Sequence, residues 1–131
     1  MIDLQKIKKN KETGYISLTA IAKEANAKDA NTIVIYCMSE RATVDFLAAW
    51  EKKHNPNFNQ QAFEKLRLEE VGLNAFMLES NRWVNLVNAI GITVEGKNSY
   101  AHPDIALNFA SWLFVDLRLQ VFESFNWRAN E

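Results

Sequence analysis

Six apolar residues, Ile105, Phe109, Leu113, Leu117, Val121 and Phe125, recur at steps of four near the end of the chain. This is the longest apolar stripe in the sequence. Steps of four drift around a helix by about 40° each, because 3.6 residues make a turn. One straight helix would carry the stripe half-way round its surface. The spacing therefore predicts two helices, with a bend near Phe114–Asp116 that returns the stripe to one buried face.

The rest of the chain reads as further short helices. Only 4 Gly and 2 Pro occur in 131 residues, fewer turn residues than a β-rich domain needs. Leu18, Ile21, Ala22 and Ala25 fit a helix over Leu18–Asn26, with Ser17 as N-cap and Asn26 as its stop. A second helix is expected over Asp29–Ser39. Its run Ile33-Val34-Ile35-Tyr36 could form a strand by propensity alone. Thr43 is expected to cap Val44–His54, and Asn59 to cap Gln60–Val71, with Gly72 ending it. Leu73–Leu78 reads as an extended link, and Ser80 as the cap of Asn81–Ile90. Gly91–Val94 and Ser99–Ala101 flank the turn residues Glu95-Gly96-Lys97-Asn98, the pattern of a β-hairpin. His102 is then an N-cap, with Pro103 at the first helical position. The first 13 residues read as a basic arm or hairpin turning at Asn10–Gly14. The expected fold class is α+β and mostly helical, one domain over residues 1–131 with a small antiparallel sheet.

Composition narrows the chemistry. The single cysteine, Cys37, excludes an internal disulfide and any zinc site built on cysteine pairs. It lies in an apolar run and reads as a buried, inert thiol. His54 and His102 show no metal-ligand spacing, so neither a metal nor a cofactor is expected. The His102-x-Asp104 pair reads as capping rather than catalysis. The four glycines stand alone at 14, 72, 91 and 96, so no phosphate loop is present. No enzyme activity is expected. The apolar stretches are far below the roughly 20 residues that span a membrane. The early charges of the N-terminus do not suit a signal peptide. The expected setting is cytoplasmic.

The net charge is −1, with 15 Lys and Arg against 16 Asp and Glu. A binder working by bulk positive charge is excluded, but a local basic face is not. Residues 1–53 carry a net +2 and residues 54–131 a net −3. Four lysines fall within the first eleven residues. Lys23 and Lys28 flank the first helix, and Arg41 follows the second.

Several blocks, in one order, carry a resemblance. Gly14-Tyr15-Ile16-Ser17-Leu18-Thr19 is followed by Ile21-Ala22-Lys23, by Thr43-Val44-Asp45-Phe46-Leu47 and by Trp50-Glu51. Asn55-Pro56-Asn57-Phe58, Gly72-Leu73-Asn74-Ala75-Phe76 and Asn88-Ala89-Ile90-Gly91-Ile92 come next. Tyr100-Ala101-His102-Pro103-Asp104-Ile105-Ala106 and Phe109-Ala110-Ser111-Trp112 close the series. Together, over roughly residues 14–125, they resemble the KilA-N domain, which is related to the fungal APSES domains. The resemblance implies a DNA-binding domain of phages, large DNA viruses and bacterial mobile elements. It implies a winged helix-turn-helix with Thr19–Asn26 as first helix, Asn31–Ser39 as recognition helix and Ile92–Tyr100 as wing. Lys8, Lys9, Lys11, Lys28, Asn31, Thr32, Arg41, Lys97 and Asn98 are the expected contacts to duplex DNA.

The sequence departs from the family pattern in three places. Arg41 is the only basic residue in or just after the second helix, the wing is short, and the Ser-Pro after the last signature Trp is absent. An alternative therefore stands beside DNA binding: a protein-interaction module, such as a phage-encoded inhibitor or an assembly subunit. It would form a homodimer or bind another protein through Trp112, Phe114, Phe122 and Trp127.

Overall fold

A computed structural model of the chain describes residues 1–125. Three of the expected caps begin helices. The Ser17 Oγ accepts from the Ala20 amide at 3.0 Å and starts α1, Leu18–Ala25. Asn59 accepts from the Ala62 amide at 3.0 Å and starts α4, Gln60–Glu69. The Nδ1 of His102 accepts from the Asp104 amide at 3.0 Å and starts α6, Pro103–Leu113. Each satisfies an amide that the helix itself leaves without a partner.

The β-branched run at 33–36 is helical, within α2, Ala30–Ser39. Ala30, Val34, Cys37 and Met38 are buried along one side. That 3.6-residue period outweighs the strand propensity of Ile33-Val34-Ile35. Two expected caps are not caps. α3 runs from Arg41 to His54, so Thr43 lies inside it, its hydroxyl 3.8 Å from the Cys37 sulfur. α5 runs from Ser80 to Val87 after Glu79. The Ser80 hydroxyl turns inward, 2.7 Å from Ser99 Oγ and 3.0 Å from the Met38 sulfur. In both cases a buried partner takes the hydroxyl the cap would have used. α5 also stops earlier than expected, because Asn88 takes a left-handed conformation with φ 58°. α4 likewise ends at Glu69 rather than Val71. Residues 70–75 form turns, with the Leu73 amide on Glu70 O at 3.1 Å and the Phe76 amide on Leu73 O at 3.1 Å, so the first half of the expected Leu73–Leu78 link is turn and only its second half runs free of turns.

The sheet is antiparallel. β1 (Ile16–Ser17), β2 (Ile92–Glu95) and β3 (Asn98–Ala101) stand in the order β1-β3-β2, with Ile16 and Ile92 both opposite Ala101. The N-terminal arm turns at Asn10–Gly14, as expected, through Gly14 N on Asn10 O at 2.8 Å. It lies along β1, with Lys9 bridged to Ile16 and the Ser17 amide on Lys8 O at 2.9 Å.

The core gathers Leu18 and Ile21 of α1, Met38 of α2, Leu47 of α3, Leu66 of α4, Leu78, Trp83 of α5 and Ile92 of β2, all fully buried. Trp83 is seated between Phe58 and Phe63, with ring centroids 6.4 and 6.3 Å away. Seven α-helices and this small sheet make the described residues mostly helical α+β, the expected class.

The long stripe breaks at Phe114, whose φ −116° and ψ 104° are extended. α7 (Val115–Glu123) follows. The break does not restore one buried face. Ile105 and Phe109 are buried, Leu113, Leu117 and Val121 only half-buried, and α7 buries no residue fully.

Candidate nucleic-acid interface

α1 and α2 are joined by residues 26–29, a turn held by side-chain bonds. The Asn26 carbonyl oxygen accepts from the Lys28 amide at 3.0 Å, and its amide group donates to Asp29 at 3.1 Å. This Asx turn sets the angle at which α2 leaves α1. The hairpin β2–β3 reverses at Gly96-Lys97, with Gly96 at φ +61°. The reversal brings its tip against the start of α2.

A cleft of about 310 Å³ opens between these parts, lined by Thr19, Lys23, Lys28, Asn31, Thr32, Lys97 and Asn98 among others. A second cleft on the other side of the tip is shared by Asn31, Ile35, Glu79, Asn81 and Lys97. Asn31 and Lys97 line both, so the tip crosses directly beside the first turn of α2. Thr19 fixes the crossing: its hydroxyl accepts from the buried Ser99 amide at 3.1 Å.

Five of the nine expected residues, Lys28, Asn31, Thr32, Lys97 and Asn98, therefore meet in one cleft. Lys23 joins them and was not among the nine. It lies one helical turn after Thr19, and that i, i+4 spacing is the signal that places it there. Lys8, Lys9 and Lys11 lie on the exposed arm outside β1. The side chain of Asn10 donates to Glu95 at 2.9 Å, which ties that arm to the strand leading into the wing. Arg41 stands apart, at the far end of α2. Its guanidinium packs over Gly72, 2.6 Å from where a Cβ would be built there, in a groove with Tyr36, Phe76 and Met77. A ten-residue helix spans about 15 Å, so Arg41 and Asn31 cannot share one contact.

Charge is distributed unevenly. Arg67 pairs with Asp45 at 2.7 Å and Arg82 with Glu70 at 2.7 Å, both on the α3–α4–α5 side. The hydrogen bond from each arginine holds its own proton more firmly, and Arg82 lowers the Glu70 carboxyl below its usual range. Among the described residues, Lys23, Lys28, Lys97 and the arm lysines have no carboxylate within ion-pair distance. Their charge is available to a ligand. Asp29 lines the first cleft and Glu79 the second, and they limit the excess of positive charge.

The Cys37 thiol is buried, which pushes it up to about 12 and keeps it protonated, as an inert thiol. His102 is spent on capping, and Asp104 accepts from the Trp50 indole at 3.3 Å. Among the described residues no three His, Cys, Asp or Glu could hold a metal ion, and no helix is long and apolar enough to cross a membrane.

The KilA-N domain profile matches residues 2–129, nearly the whole chain. The chain belongs to the KilA-N domain family. KilA-N domains are a family of DNA-binding domains. No curated protein and no solved structure matches the chain at a significant level.

In this KilA-N domain a further residue organises the wing from beneath. Glu51 of α3 is fully buried. Its Oε1 accepts from Asn55 Nδ2 at 2.8 Å and the Ile90 amide at 3.0 Å, and its Oε2 from the Gly91 amide at 2.8 Å. It fixes the backbone immediately before β2. Tyr15 closes the same corner by donating to Ile90 O at 2.8 Å, and burial, then the Glu51 charge, raises its phenol above the usual value.

Proposed function

We propose that this KilA-N domain binds duplex DNA through the α1–α2 turn, the exposed side of α2 and the wing tip. The supporting observation is the convergence of Lys23, Lys28 and Lys97 with Asn31, Thr32 and Asn98 around the first turn of α2. Two helices joined by a short turn, with the second exposed, form a helix-turn-helix, whose recognition helix lies in the major groove and contacts bases with its N-terminal residues. The lysines serve the phosphates, with Lys8, Lys9 and Lys11 of the arm extending the track; the amide and hydroxyl groups serve base edges. Arg41 reaches a phosphate beyond the far end of α2. The family resemblance extends the reading to a domain of phage or mobile-element type, acting in the cytoplasm of a bacterial cell or infected host.

Neutralising a few phosphates supports only modest affinity. A mixed-sequence duplex is expected to bind with a Kd on the order of 10 μM at about 50 mM salt, with log K falling against log salt at a slope of about −3 to −5. Lys28→Glu with Lys97→Glu should weaken binding at least about tenfold across all sequences, and each lysine lost should reduce the slope by about 1. Fluorescence anisotropy measures both. No anisotropy change at about 100 μM protein would overturn the reading.

The surface of α7 favours a second reading, association with a second copy or another protein. Val115 is 75% exposed, Leu119 57% and Phe122 55%, with the Arg118 guanidinium 5.4 Å over the Phe122 ring. A groove of about 430 Å³ runs from Phe46 past Trp112 to Phe122. Of the expected partner residues, Trp112 and Phe122 are exposed and Phe114 is half-buried against the core. Trp127 lies outside the described residues. Exposed apolar area of this kind marks contact surfaces. Sedimentation should give a dimer that Phe122→Asp dissociates; a monomer at all concentrations rules out self-association.

A further inference from the structure

We infer that the face of α2 selects A·T-rich duplex DNA by reading adenine and the thymine methyl group. The inference rests on the DNA-binding reading above and concerns the base composition that site takes. At 100° per residue, Asn31, Ile35, Ser39, Thr32 and Tyr36 occupy one arc of about 140° on α2. Asn31, Thr32 and Tyr36 are exposed and Ile35 is half-exposed, while Ala30, Val34, Cys37 and Met38 fill the opposite side.

The chemistry of that arc is one-sided. The commonest specific contact to guanine is a bidentate bond from Arg or Lys to O6 and N7, and no Arg or Lys occurs within α2. Arg41, the nearest, follows the far end of the ten-residue helix and lies over Gly72, away from Asn31. Asn31 carries the amide that pairs with adenine N6 and N7, and it sits in the first turn, where recognition helices meet base edges. The Thr32 methyl and the Ile35 side chain flank it and present apolar surface that suits the C5-methyl of thymine. Ser39 is withdrawn from readout, since its hydroxyl donates to Ile35 O at 2.6 Å and accepts from the Leu78 amide at 2.7 Å.

The test compares three 20-bp duplexes by anisotropy at one salt concentration: A·T-rich, G·C-rich, and the A·T-rich sequence with uracil in place of thymine. The A·T-rich duplex should bind at least about tenfold tighter than the G·C-rich one, since each good base contact discriminates by about that factor. Uracil, which lacks the methyl group, should weaken binding by about threefold or more. Asn31→Ala, at an exposed position, should lose most of the A·T preference while keeping the salt dependence. Equal binding of A·T-rich and G·C-rich duplexes, or of thymine and uracil duplexes, overturns the inference and leaves DNA binding standing. Binding to none of the three removes both.

Discussion

Glu51→Ala is expected to destabilise the domain by about 3–5 kcal/mol, the largest effect of any single substitution considered. The carboxylate has no contact with water and accepts three hydrogen bonds. Alanine leaves the buried Gly91 amide and the part-buried Ile90 amide without an acceptor and the Asn55 amide group with Asn88 O alone, each lost bond costing about 1–3 kcal/mol. For a domain of this size the loss corresponds to roughly 10–20 °C in Tm. Glu51→Gln should cost less, because it keeps one carbonyl acceptor but turns an NH2 group toward a donor. Urea unfolding followed by tryptophan fluorescence gives both values. Equal, small effects for the two variants would contradict the role assigned to the carboxylate. Because Ile90 and Gly91 lead into β2, the same change should also loosen the wing.

Gly91→Ala acts on the same corner by crowding it. A Cβ at Gly91 would lie 2.6 Å from Ile105 Cδ1, 2.8 Å from the Glu51 carboxylate and 2.8 Å from Trp50 Cε3. No single neighbour can yield, since the methyl meets α3 and α6 together. The expected cost is about 3 kcal/mol, at the upper end for overpacking. Gly96→Ala provides the contrast. Nothing lies within 4 Å of its Cβ position, and only its φ of +61° resists a side chain. That variant should lose about 1–2 kcal/mol. Similar losses at both glycines, measured by thermal melts, would mean that the crowding at Gly91 is relieved by movement.

The two glycines also show what was legible in the sequence. Gly96 announced itself, because a hairpin turn is a local pattern. Gly91 did not, since its need for a missing side chain comes from Trp50, Glu51 and Ile105, distant in sequence. The same division holds for caps. Ser17, Asn59 and His102 bond to amides two or three residues on and were readable. Thr43 and Ser80 carry the same chemistry but give their hydroxyls to Cys37, Ser99 and Met38. Glu51 was indistinguishable from a solvated helix glutamate until Gly91 closed over it, 40 residues away.

The candidate site divides in a similar way. Lys28, Asn31 and Thr32 are neighbours on one turn and helix start, and Lys97 and Asn98 on one hairpin, so two local readings supplied five residues. Only the fold joined the two groups and added Lys23. Arg41 failed to join them because the length of α2 separates it from the cleft. The stripe of apolar residues at steps of four looked like core throughout. Its second half is half-exposed because, among the described residues, α7 packs mainly on α6 alone.

DNA is expected to dock where α1, α2 and the wing meet. The most direct measurement is a titration of the ¹⁵N-labelled protein with a short duplex, followed by amide chemical shifts. Shifts are expected to concentrate at residues 23–32 and 96–98, with weaker ones at residues 8–11 and none along α4. Shifts confined to α6 and α7, or a spectrum unchanged by DNA, would contradict it.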